Sequence, residues 1–101
     1  MEDVADTADF YSSLQTALSR EHVAGLYGAL GWRVRKCSWT DYEVLGPWAE
    51  LVIEAEGPIL MHGTVVLARA EEVLAPLREA GISFAAEFYG ADGKLLRELS
   101  G

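Results

Sequence analysis

The stretch WAELVIEAEGPILMHGTVVL, Trp48 to Leu67, decides the fold, because its apolar residues recur at every second position on both sides of a Gly-Pro turn. On the first side Ala49, Leu51, Ile53 and Ala55 are apolar, whereas Glu50, Glu54 and Glu56 fall between them. On the second side Ile59, Met61, Val65 and Leu67 repeat the odd-numbered pattern. The two apolar faces coincide only if the connection contains an odd number of residues. A three-residue loop, Glu56-Gly57-Pro58, satisfies this and pairs Ala55 with Ile59, Ile53 with Met61 and Val52 with His62. His62 then lies on the outer face, diagonal to Glu50 and Glu54 and within reach of both.

Working outward, period-two stretches over Trp32 to Trp39, Tyr42 to Leu45, Trp48 to Ala55 and Ile59 to Leu67 predict a four-strand meander, separated by Thr40-Asp41, Gly46-Pro47 and Gly57-Pro58. From Arg69 to Ala80 the spacing becomes helical, with Ala70, Val73, Leu74, Leu77 and Ala80 on one face and Gly81 ending it. Pro76 removes one hydrogen bond from that helix and should bend it, at a cost of about 3 kcal/mol unless the first turns adapt. A hairpin follows, Ile82 to Tyr89 and Lys94 to Leu99, across Gly90-Ala91-Asp92-Gly93. Strand, helix and strand over residues 59 to 89 have the length of a right-handed crossover, which would set the fifth strand parallel to the fourth.

Upstream, Phe10, Leu14, Ala17 and Leu18 stand at helical spacing between Thr7 and Leu18. Ser19 then reads as the N-cap of a second helix, through Val23, Leu26, Tyr27 and Leu30 to Gly31. The expected fold is therefore α+β: two N-terminal helices, a four-strand antiparallel meander, one crossover helix and a C-terminal β-hairpin, in a single mixed sheet with helices on one face. Residues 1–101 are expected to form one domain, with residues 1–6 a flexible acidic tail.

Composition bounds the function. A chain of 101 residues, 50% hydrophobic and 24% charged, has enough apolar surface for one core. Charges interrupt every apolar run before the roughly 18 to 20 residues of a membrane span. Met1 to Asp9 holds Glu2, Asp3, Asp6 and Asp9 and no base, the opposite of a targeting leader, so a cytoplasmic protein is expected. Half of the net charge of −8 belongs to those nine residues, because eight bases face twelve acids from Phe10 onward. Nucleic acid is a poor partner for so acidic a chain. Cys37 has no second thiol to pair with and reads as a buried structural residue.

Three constellations carry chemistry. His62 beside Glu54 and Glu50 is a minimal acid and base unit, since a carboxylate orients an imidazole and favours its charged form. Trp39, Tyr42 and Trp48 gather around two turns near Asp41 and Glu43, an aromatic corner able to anchor a partner or line a pocket. Arg33, Arg35 and Lys36 form a basic strand that reads as an edge or as one half of cross-strand ion pairs. Gly25, Gly28 and Gly31 run through a helix and so do not make a phosphate loop.

The outer face, with Val52, Leu60, Val66 and His62 among charges, is too apolar for water and too polar for a core. The leading expectation is a small cytosolic non-catalytic interaction protein that forms a homodimer through this face, with Trp39, Tyr42, Trp48, Val52, Leu60 and His62 as binding residues. A competing class is a small enzyme or ligand-binding protein using His62, Glu54 and Glu50. A third is an acidic antidote or immunity-type protein for a basic toxin. No cofactor, metal, nucleic acid or membrane partner is expected from the motifs present.

Overall fold

In the computed structural model, which describes residues 7–37, 41–55 and 59–101, the segment Thr7–Gln15 is a β-strand, β1, and not a helix. Its side chains alternate strictly between exposed and buried, with Ala8, Phe10, Ser12 and Leu14 inside. Phe10 and Leu14 are four residues apart, a spacing shared by a strand face and a helix face, so they cannot discriminate between the two. Ser12 hides the alternation because it is polar. Its hydroxyl is nevertheless buried and donates to the carbonyl of Ala85 at 3.0 Å.

The remaining elements are α1 (Arg20–Gly28), β2 (Arg33–Lys36), β3 (Tyr42–Gly46), β4 (Ala49–Ala55), β5 (Ile59–Val66), a single 3-10 turn (Leu67–Arg69), α2 (Ala70–Glu79), β6 (Ser83–Tyr89) and β7 (Leu95–Ser100). The strands form one seven-stranded sheet in the order β2-β3-β4-β5-β1-β6-β7. Every neighbouring pair is antiparallel, which corrects the expected mixed sheet as well as the expected pair of N-terminal helices. The reason is the position of β1. The connection through α2 carries the chain from β5 to β6 in the same direction, but β1 lies between them and pairs antiparallel with both.

Both helices pack on one face of the sheet, α1 against β2, β3 and β4 and α2 against β5 and β6. Ser19 caps α1 by accepting from the N–H of His22 at 3.1 Å. Between the layers Phe10, Leu14, Tyr27, Leu51, Ile53, Met61, Leu74, Leu77 and Phe88 are fully buried, each stabilising the fold by roughly 1.5–3 kcal/mol. The Phe10 and Phe88 rings tilt against one another at 5.2 Å. Tyr27 ties the helices together, its hydroxyl donating to the carbonyl of Val73 at 2.7 Å. Burial holds that phenol far above its ordinary titration range.

The pairing of β4 with β5 matches the parity argument: Ala55 faces Ile59, Ile53 faces Met61 and Val52 faces His62. Gly63 sits mid-strand at φ 154°, where a Cβ would collide with the carbonyl of Glu50, so this register depends on glycine at that position. The acidic residues 1–6, Trp39 and the connection between β4 and β5 lie outside the described residues. Among the described residues no helix is long and apolar enough to cross a membrane.

Candidate functional site

The sheet face turned away from the helices is built by strand parity. One row crosses all seven strands in direct register: Arg35, Glu43, Val52, His62, Tyr11, Glu87 and Glu98. Beside it run Arg33, Leu45, Glu50, Thr64, Asp9, Tyr89 and Leu95. On its other side Glu54, Leu60, Ser13, Ala85 and Ser100 complete the face. Charge is unevenly spread along these rows. The two arginines stand on edge strand β2, where Arg35 pairs with Glu43 at 2.7 Å. Apart from His62, the other ionic side chains of these rows are carboxylates: Asp9, Glu50, Glu54, Glu87 and Glu98.

Two polar contacts and one aromatic contact order the centre. Nε2 of His62 bonds Oε2 of Glu54, both side chains being half-buried. Glu50, the other diagonal neighbour of His62, is exposed and makes no ion pair among the described residues. The Tyr89 hydroxyl donates to Oε1 of Glu87 at 3.1 Å. That hydrogen bond, with desolvation and the negative charges of Glu87 and Glu98, raises the Tyr89 phenol above its usual value. Tyr11 stands edge-on to Tyr89 at 5.9 Å.

Between β5, β1, β6 and β7 the face is hollowed into an open cleft of about 730 Å³, lined by Tyr11, Ser13, Leu60, His62, Ala85, Glu87, Glu98 and Leu99 among others. A binding pocket for a small molecule or side chain has this order of size.

The acid and base pair expected from the sequence is present, His62 on Glu54. Ser13 lies diagonal to His62, and no hydrogen bond joins them among the described residues. The strands β1, β5 and β6 each have a ladder partner on both sides. Among the described residues no cluster of three or more His, Cys, Asp or Glu is placed to hold a metal ion.

The residues singled out from sequence divide between two sides of the molecule. Val52, Leu60, His62, Glu54 and Glu50 share the outer face. Tyr42 and Trp48 do not join them: both pack against the core, Tyr42 donating to Glu21 of α1 at 3.3 Å. Trp48 stands edge-on to Trp32 at 6.1 Å, with the Arg69 guanidinium over its ring at 5.2 Å. Cys37 is exposed, not buried, because it follows edge strand β2, whose four residues are all exposed themselves. Tyr11, Asp9, Glu87, Tyr89 and Glu98 were missed. Reading β1 as a helix removed the first two from the face, and the hairpin register counted from Gly90 and Gly93 pairs Glu87 with Leu96. The turn instead closes with Gly90 on Lys94, and the β-bulge between Phe88 and Tyr89 adds a further shift that brings Glu98 opposite Glu87.

The chain matches no family model, no curated protein and no solved structure.

Proposed function

We propose that this is a non-catalytic binding protein whose outer sheet face docks a basic protein partner. The observation that carries the reading is the segregation of charge between the two layers. Asp9, Glu43, Glu50, Glu54, Glu87 and Glu98 stand on the outer face against Arg33 and Arg35 at one margin. The helix layer is close to balanced: Glu21, Glu71, Glu72 and Glu79 stand against Arg20, Arg69 and Arg78, with Arg69–Glu72 and Arg78–Glu71 paired. A field of one sign on one face steers an oppositely charged partner and rejects others. Apolar contact is supplied on the same face by Tyr11, 53% exposed, and Leu60, 39% exposed. An antidote to a basic toxin is one member of this class.

Titrating the ¹⁵N-labelled chain with a lysine- and arginine-rich peptide tests the reading. Amide shifts should concentrate in β1, β4, β5 and β6 and collapse in about 0.5 M salt. Shifts centred on α1 and α2, or none at low salt, would refute it.

Self-association through the same face is a second reading, favoured by its bipolar margins: Arg33 and Arg35 at β2, Glu87 and Glu98 at β6 and β7. Sedimentation equilibrium at micromolar concentration separates the two. A mass near 11.0 kDa removes the dimer, and one near twice that value supports it.

A further inference from the structure

The β6–β7 end of the face contains an unresolved charge conflict. Glu87 and Glu98 stand directly opposite one another in the ladder, the arrangement in which like charges on adjacent strands repel. Among the described residues no side-chain cation pairs with either. Arg97 follows the opposite parity and lies across from Phe88, on the helix side. His62 is engaged by Glu54. Among the described residues the neutral Tyr89 hydroxyl donates to Glu87, and no side-chain donor reaches Glu98.

An aromatic ring completes the site. Tyr11 lies directly across from Glu87 on β1, half exposed and braced edge-on by Tyr89. Two carboxylates beside an open tyrosine face match a guanidinium, which offers parallel N–H donors to carboxylates and stacks its plane on the ring. An ammonium satisfies the charge but neither the fork nor the stacking.

Resting on the reading of this face as the dock for a basic protein, we infer that the cleft between Tyr11, Glu87 and Glu98 seats an arginine side chain of that partner. A cleft of about 730 Å³ holds more than one side chain, so residues flanking the arginine lie over Leu60 and Ala85.

Two acetylated and amidated pentapeptides, identical except for one central arginine or lysine, test the assignment by NMR titration of the full chain at low ionic strength. The arginine peptide should bind about threefold more tightly and shift the amides of Tyr11, Glu87 and Glu98 most. Glu98→Gln and Glu87→Gln should each weaken it about three- to fivefold. Tyr11→Leu should abolish the preference for arginine, and Glu79→Gln, exposed on the helix layer, should leave the binding of both peptides unchanged. An unchanged amide spectrum away from the cleft shows that each variant is folded. Equal affinity for the two peptides, or shifts centred on Glu43, Glu50 and Glu54, would overturn the arginine seat while the docking face stands. Failure of both peptides, and of the longer basic peptide as well, would overturn the docking face with it.

Discussion

Glu98 costs the free protein stability, since its direct neighbour across the ladder is another carboxylate. Glu98→Gln should therefore raise the unfolding free energy by about 0.2–1 kcal/mol in urea titrations at low salt, the range measured for cross-strand pairs. Tyr27 predicts the opposite end of the pH scale. Its folded phenol titrates far above its ordinary value through burial, so the unfolded chain loses this proton first as pH rises. The contribution is complete below about pH 10 and declines above it by up to about 1.4 kcal/mol per pH unit. Tyr27→Phe should lose about 1 kcal/mol at neutral pH with the hydrogen bond to Val73, and should have a shallower alkaline decline than the wild type. Parallel alkaline limbs would show that Tyr27 is not the group responsible. At this scale the sequence was legible where parity alone decides, as for His62 and Glu54. It was opaque where an element had to be assigned first, as for Tyr11.

Among the elements, β1 was misread and α2 was not, for related reasons. In α2 the apolar set Ala70, Val73, Leu74 and Leu77 includes the i, i+3 step that no strand face can produce. In β1 the apolar pair Phe10 and Leu14 offers only the ambiguous i, i+4 step, and the residue that would have decided, Ser12, is a polar group buried at a core position. Central placement has a measurable consequence. With β5 on one side and β6 on the other, the amides of β1 are enclosed by ladders, whereas β2 is an edge strand of four exposed residues. Native-state hydrogen exchange should be slowest in β1 and β5 and fastest in β2 and the end of β7. Rapid exchange at Tyr11 and Ser13 would contradict this sheet order.

For the molecule as a whole, the imbalance of charge between the layers sets how it responds to salt. Like charges gathered on one face repel one another when no partner is bound, and screening relieves that repulsion. Raising sodium chloride from about 0.02 M to 0.3 M should shift the urea midpoint upward, although the protein has ion pairs that salt weakens, because those pairs are exposed and individually small. A falling midpoint would show that the pairs outweigh the repulsion. The sheet order follows from pairings between the first strand and strands made much later, and those are the relations that local periodicity does not contain.

The same order imposes a timetable on synthesis. The ribosome delivers β1 first, yet its two partners are the fifth and sixth strands to be made. At roughly 5–20 residues per second, β1 waits seconds with one apolar face and both hydrogen-bonding edges unclaimed. Until it inserts, β5 and β6 have a vacancy between them that a β1 from another nascent chain fits equally well. Crowded expression should therefore yield strand-exchanged dimers that dissociate only on unfolding, and slower translation of residues 16–58 should increase their share.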